Sequence, residues 1–272
     1  NKSWYDCTVE PLTAEEDDIA EYLGMRWRRG RGAFDDPMRT PAALRIGLRY
    51  VRNLGDAEIT RVEAARRVAG PFGSAEDLAQ RTGWAVDALE ALAAGGALVP
   101  LGIGRREGIW AAGALAGMGP DRLPLASGTQ APELPPMARY DEMQADLWST
   151  GISVQHPVSF LRERLSEAGC LTVADALEQR HNGVRAKVGG LITHRQRPST
   201  ARGVRFLNVE DETGLLNVVV MPQVWDANYE VARKAVGVVI EGIIEFRDGV
   251  TNLVAHRFEH WPVTGITSRD FR

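Results

Sequence analysis

The stretch GLRYVRNLGDAEI, residues 47–59, sets the organisation of the first half of the chain. It reads as a short helix, a hydrophobic–Gly turn and the opening of a second helix: a helix-hairpin-helix unit. Gly55 is expected at positive φ in the tight turn, and the backbone N–H groups that open the second helix would point at a phosphate. Arg49 and Arg52 add charge beside that cradle, Asn53 and Leu54 complete the turn, and Arg61 follows on the second helix. Contacts of this kind hold a duplex without reading its sequence. The same residues also fit an ordinary corner between two helices, with Gly55 as a C-cap. A second, looser hairpin around Gly102 makes the arrangement tandem and favours DNA.

Around this stretch the pattern predicts short helices from Pro41 to Leu115. Ala42–Tyr50 is helical in composition, and Asp56 can cap a helix whose apolar positions Ile59, Val62, Ala65 and Val68 share one face. Ser74 and Asp77 have the spacing of a capping box. Val86, Leu89 and Leu92 continue an apolar stripe that Gly95–Gly96 end, and a further helix runs from about Arg105 to Leu115. Residues 117–140 contain five Pro and no periodicity, which reads as a linker. Helical stretches follow at about Asp141–Trp148 and Val158–Ala168, with Leu177 near the end.

The last third changes period. VRAKVGGLI places Val184, Ala186, Val188 and Ile192 on one face and Arg185 and Lys187 on the other. β-rich runs recur at Val204–Val209, Leu215–Met221, Val238–Phe246 and Val250–Phe258, with a helix-like insert, QVWDANYEVARKA, between the third and fourth strands. RDGV supplies an Asp-Gly turn between the last two. That order is the one found in an oligonucleotide-binding (OB) barrel. Between residues 185 and 205 stand Arg185, Lys187, Arg195, Arg197, Arg202 and Arg205, with no Asp or Glu. Such a basic loop between strands one and two suits single-stranded nucleic acid, and Phe206 either stacks on a base or packs in the core.

The fold class expected is therefore multidomain α+β, a helix-hairpin-helix region followed by a five-stranded OB-fold β-barrel. The boundaries expected are residues 1–40 as a leading region, 41–116 as the tandem hairpins, 117–183 as a linker with short helices, 184–263 as the barrel and 264–272 as a tail.

Composition agrees with soluble globular protein: 44% hydrophobic and 25% charged over 272 residues, with a net charge of −4. Cys7 and Cys170 offer no disulfide framework or Cys-rich zinc site. No apolar run approaches the roughly 18 residues of a membrane span, so a cytoplasmic location is expected. A pI near 5.8 confines any DNA contact to local patches. Lys occurs only at positions 2, 187 and 234, and an Arg excess of this kind also fits a GC-rich genome, so clustering decides. Residues 26–67 hold eleven Arg against five acidic residues. Asp17–Asp18 and Asp35–Asp36 lie in polar stretches rather than at strand ends, and His256 and His260 lack further ligands, so neither a metal site nor a catalytic residue is expected. Gln144, Asp146, Leu147 and Trp148, within QADLW, match a short peptide that docks into a hydrophobic groove on a sliding clamp. The alternative is a helix with Leu147 and Trp148 turned inward.

NKSWYDCTVEP followed by RIGLRYVRNLG resembles the passage from fingers to helix-hairpin-helix region in bacterial C-family DNA polymerases, the polymerase III alpha-subunit type. PFGSAEDLAQRTGWAVDALEALAAGGAL resembles the segment after it, and MQADLWSTGISVQHPVSFLRERL the region ahead of the barrel. The form GLRYVRNLG is closer to the error-prone branch, and residues 1–40 then correspond to the end of a fingers-like region. The resemblance implies the C-terminal part of a damage-inducible translesion polymerase acting in DNA repair and replication. It also implies a sliding clamp and an inactive Y-family-like partner protein (the mutasome partner). The family's acidic triad has no counterpart here, so magnesium-dependent nucleotidyl transfer is expected outside these residues, and the opening at Asn1 is expected to lie within a longer protein. Trp148 stands where the family's clamp peptide more usually has Phe. The competing expectations are a free-standing DNA-repair adaptor and a protein-interaction module built from the same two folds.

Overall fold

A computed structural model describes residues 6–11, 42–122 and 130–263. It divides into two compact units, residues 1–154 and 155–272. The leading region to Pro41 (apart from residues 6–11), the Asp pairs and basic run within it, and the tail from 264 lie outside the described residues.

The first unit opens on a two-stranded antiparallel ladder, β1 (Thr8–Pro11) with β2 (Ala42–Arg45), in the register Thr8↔Arg45. Ala42–Tyr50 is thus not a helix. Its first four residues take their hydrogen bonds from a strand more than thirty positions earlier, a partner no local pattern reveals, and only Leu48–Tyr50 turn, as a 3-10 helix. Four α-helices follow: α1 (Asp56–Ala69), α2 (Ala75–Thr82), α3 (Val86–Ala94) and α4 (Arg105–Leu115). Trp84, Leu89, Leu98 and Leu115 sit fully buried at their centre. Along α1 the apolar stripe stops early: Ile59 and Val62 are buried, whereas Val68 is 87% exposed. Ser74 caps α2 as expected, accepting the Asp77 N–H at 3.1 Å, while Asp77 reaches past it to Gly73 N–H at 3.0 Å.

Residues 117–183 do not form one linker. Their first helix, α5 (Arg139–Ser149), packs on α3 and belongs to the first unit. The 3-10 turn Pro157–Leu161, α6 (Arg162–Glu167) and α7 (Val173–Glu178) belong to the second. The helix read over Val158–Ala168 therefore begins as a tighter turn, opened by Pro157.

The second unit is a closed five-stranded barrel of β3 (Arg185–Gln196), β4 (Arg205–Asp211), β5 (Gly214–Val220), β6 (Gly237–Arg247) and β7 (Val250–His260). The spatial order is β3-β4-β5-β7-β6, with β5 and β7 parallel and the remaining pairs antiparallel. This is a helical region followed by an OB-type barrel. Alternate residues fill the inside, including Leu207, Val209, Leu216, Val218, Ile240 and Leu253. The insert between β5 and β6 is two short helices, α8 (Pro222–Ala227) and α9 (Tyr229–Lys234), broken at Asn228. Asp248 and Gly249 both take positive φ in the turn between β6 and β7, as the Asp-Gly signal requires.

Two glycines on β3 allow close packing on both sides. A Cβ at Gly189 would run into Leu165 of α6, and one at Gly190 would lie 2.6 Å from the Glu210 carbonyl. Leu165 therefore lies against the outside of β3 with Val158, Leu191 and Val239, forming a second, outer core. The buried carboxylate of Asp211 ties these layers together. It accepts from Arg162 Nη2 at 2.6 Å, Val173 N–H at 2.8 Å, Thr213 N–H at 2.7 Å and Thr213 Oγ1 at 2.6 Å. Glu212 takes Arg162 Nε at 2.5 Å, and these hydrogen bonds raise the Arg162 pKa further.

Candidate nucleic-acid interface

In the first unit, two helix starts, those of α1 and α4, follow the hairpin turns at Gly55 and Gly102, and they differ in the side chains around them. At α1 the N-cap is Gly55, not Asp56, and its φ of −98° is ordinary extended backbone. The left-handed residue of this turn is Asn53, at φ 61°. Gly55 N–H donates to Glu58 Oε2 at 3.1 Å, and Arg61 Nη2 donates to Glu58 Oε1 at 2.5 Å. Hydrogen bonds from its own N–H first, then from Gly55 and Arg61, hold the Glu58 carboxyl below its usual range. A phosphate at this helix start would have to displace that carboxylate and sit beside Asp56. The cradle expected at Gly55 is thus filled by the chain itself.

Its neighbours are similarly committed. Arg49 pairs with Asp6 at 2.7 Å on the surface. The guanidinium of Arg52 lies 5.2 Å from the centre of the Trp148 ring, and the Arg52 backbone N–H donates to the Ser149 carbonyl at 2.7 Å. Asn53 Nδ2 reaches the Asp87 carbonyl at 3.4 Å. Leu54 is buried in the core, so its side chain offers nothing to DNA.

The hairpin at Gly102 is the more regular of the two, contrary to its looser look in the sequence. Complete α-helices flank it, Gly102 has φ 82°, and Gly104 is the N-cap of α4. The first two residues of α4 are Arg105 and Arg106, so this helix start adds cationic side chains to its dipole. Glu107 at its third position nevertheless sets a carboxylate beside the Gly104 N-cap, as Glu58 does at Gly55. Arg105 closes the hairpin, donating to the Ala94 carbonyl at 2.8 Å and to Asp146 at 2.6 Å. Arg106 donates to the Pro135 carbonyl at 3.2 Å and pairs with Asp141 at 3.1 Å. Neither arginine stands out by charge count. The signal that reveals them is LGIGRRE, a Gly-X-Gly turn feeding two basic residues into a helix start.

Gln144, Asp146, Leu147 and Trp148 lie on α5, so QADLW is helical. Asp146 is held by Arg105 and by Ser153 Oγ at 3.0 Å. Gln144, Leu147 and Trp148 fall at i, i+3 and i+4, neighbours on one helix side. Trp148 is 43% exposed and lies against Arg52 rather than in a core.

In the barrel the six expected cations do not form one loop. Arg185 and Lys187 stand at the start of β3 and Arg195 near its end, about 30 Å along an extended strand. Lys187 faces Glu241 at 3.6 Å. Arg195 caps α9, donating to the carbonyls of Ala232, at 2.9 Å, and Ala235. Arg205 stacks 4.0 Å over the Trp225 ring, and burial, then the nearby Arg197 charge, lower its pKa. Arg197 and Arg202 are left exposed on the loop between β3 and β4. That loop contains a 3-10 turn, Ser199–Ala201, and Arg202 itself is left-handed at φ 48°. Phe206 is partly buried on the outside of β4, not in the barrel core.

Comparison with known proteins accords with this geometry. Residues 1–108 match the helix-hairpin-helix motif family. The error-prone DNA polymerase of Corynebacterium efficiens is 42% identical over 235 residues, 84% of this chain and 21% of that protein. That of Mycobacterium tuberculosis (strain H37Rv) is 42% identical over 232 residues, with the same coverage. Among solved structures, asparaginyl-tRNA synthetase from Pyrococcus horikoshii superposes at TM-score 0.30 and 18% identity, covering 36% of this chain and 24% of that one. The chain is homologous to a stretch of the error-prone DNA polymerases, and it spans about a fifth of the length of the curated relatives it matches.

Proposed function

We propose that this chain is the C-terminal, DNA-holding part of an error-prone translesion DNA polymerase, with nucleotidyl transfer performed elsewhere in the whole protein. The observation that carries this reading is 42% identity across 84% of the chain to proteins of that name, joined to a regular helix-hairpin-helix. The hairpin at Gly102, closed by Arg105 and with the more exposed Arg106 beside it at the helix start, grips duplex phosphates. The Arg197–Arg202 loop holds a single strand. The magnesium that the family implies goes with nucleotidyl transfer elsewhere in the whole protein, and among the described residues no group of three or more His, Cys, Asp or Glu could hold an ion. The exposed Trp148 side of α5 is the surface offered to a sliding clamp or to the inactive Y-family-like partner protein. No described helix is long and apolar enough to cross a membrane, and the polymerase reading puts the protein in the cytoplasm with the chromosome.

The test is a pair of assays on the purified chain. Binding to a primed template, without extension of the primer in magnesium and nucleotides, is the expected result. Robust extension, or no DNA binding at low salt, overturns the reading.

A further inference from the structure

The outside of the barrel carries a pattern that stability does not explain. Burial alternates along β4, β5 and β7, so Phe206, Asn208, Asn217, Val219, Asn252 and Val254 all point outward. The register aligns them in two rows. Phe206 pairs with Val219, which pairs with Val254; Asn208 pairs with Asn217, which pairs with Asn252. His194 of β3 extends the second row, opposite Asn208. Neighbouring strands lie about 4.8 Å apart, so the three carboxamides stand side by side. Asn217 Nδ2 donates to Asn252 Oδ1 at 2.5 Å, which uses one Asn217 N–H and leaves Asn217 Oδ1 and the Asn252 Nδ2 hydrogens as an acceptor and donors for a ligand. Asn is among the residues least suited to strands. Three of them on adjacent strands, with neither Lys nor Arg between, is not a surface selected for sheet stability or solubility.

The surroundings are polarised. On the loop side, Arg197 follows Gln196, the register partner of Phe206, and Arg202 lies on the same loop. On the far side stands Glu210, opposite Leu215, and Glu245 closes the carboxamide row beside Asn252. Beyond Glu210 the sheet is covered, because His156 at the start of the Pro157 turn lies 3.7 Å from that carboxylate. A polyanion is therefore attracted to the loop edge and repelled from the opposite one. From the loop edge the order is cations, then Phe206 with its aliphatic row, then neutral carboxamides.

We propose that this face reads the bases of a single strand: phosphates run along Arg197 and Arg202, a base stacks on Phe206, and base edges hydrogen-bond to Asn208, Asn217 and Asn252. Carboxamides offer the neutral donors and acceptors that unstacked base edges present, and every base has a face to stack. The inference rests on the barrel holding a single strand, and it adds that the grip depends on bases and not on phosphates alone.

The experiment compares two oligonucleotides of about twelve residues, within the span of one such barrel. One is a mixed-sequence strand, the other an abasic deoxyribose-phosphate strand of equal length, both titrated at one salt concentration. The expected result is tighter binding of the base-bearing strand, by about tenfold. Phe206→Ala should remove most of that advantage. So should Asn208→Thr, Asn217→Thr and Asn252→Thr together, a change that keeps residues suited to strands. Both variants should leave abasic binding as it was. Arg197→Ala with Arg202→Ala should weaken both strands alike. Equal binding of the two strands by the unmodified chain, or a base advantage that survives both face variants, overturns the base-reading proposal while leaving strand holding intact. Failure to bind either strand overturns both.

Discussion

At the scale of single residues, the chain places its strongest polar interactions in structure rather than on display. Asp211 has a fully buried side chain, yet nothing in the run VEDETG marks it as different from Glu210 or Glu212. Its neighbours explain it: a guanidinium, a hydroxyl and backbone amides converge on two oxygens, so the charge is stabilised where water is absent. Removing one partner strands the other. Asp211→Ala should cost about 3 to 5 kcal/mol of barrel stability, and Arg162→Ala a comparable amount. Urea unfolding followed on barrel tryptophans reads both, and a loss below about 1 kcal/mol, the worth of an exposed pair, would mean that the pair is hydrated. The same internal use accounts for Arg195 and Arg205. Clustering along the sequence was the signal for DNA, but three-dimensional neighbours turn one into a helix cap and the other into a lid on Trp225. Charge counting sees the cations and cannot see the carbonyls and rings that claim them.

At the scale of elements, legibility follows the range of the interactions involved. Period-two runs, the Asp-Gly turn and the helix from Arg105 to Leu115 are local signals, and the structure has each where the sequence puts it. The β1–β2 ladder depends on a distant strand, so Ala42–Arg45 looks helical by composition and is not. The hairpins show the same division. Both contain Gly before a helix, but only three-dimensional geometry shows that Gly55 is extended, that Asn53 carries the turn and that Glu58 fills the amide cradle. At Gly102 the backbone does need positive φ, and the helix start carries Arg105 and Arg106 ahead of its own acid, Glu107. Gly102→Val should therefore weaken duplex binding several-fold, since a β-branched residue resists φ near 80°. Gly55→Ala should leave binding near that of the unmodified chain, because a Cβ there meets only the movable Glu58 carboxylate at 3.2 Å. Anisotropy titration of a blunt duplex checks the pair. Equal losses from both substitutions would return the phosphate site to the first hairpin.

At the scale of the whole molecule, the net charge of −4 decides how DNA can be held. An evenly anionic surface would repel a polyanion, so binding has to come from a few local contacts, each releasing counterions. The two units have separate cores, one of helices around Trp84 and Leu89, the other inside and outside the barrel. Each should fold when expressed alone, as residues 1–154 and 155–272. If the assignment of substrates is right, the helical fragment keeps the duplex affinity and the barrel fragment the single-strand affinity. Salt gives the sharper measurement. For each fragment the slope of log affinity against log salt counts the phosphates it neutralises, at about 0.9 per contact on a duplex and about 0.7 on a single strand. With Arg197 and Arg202 as the exposed loop cations, the barrel slope on a single strand should be small, about 1 to 2. Arg197→Ala with Arg202→Ala should take it close to zero, whereas Arg195→Ala should leave the slope unchanged and lower thermal stability, because Arg195 caps α9. A barrel slope of about 3 or more would require further phosphate contacts, from Arg185 and Lys187 at the other end of β3. The strand would then have to run the length of that strand instead of crossing the carboxamide face.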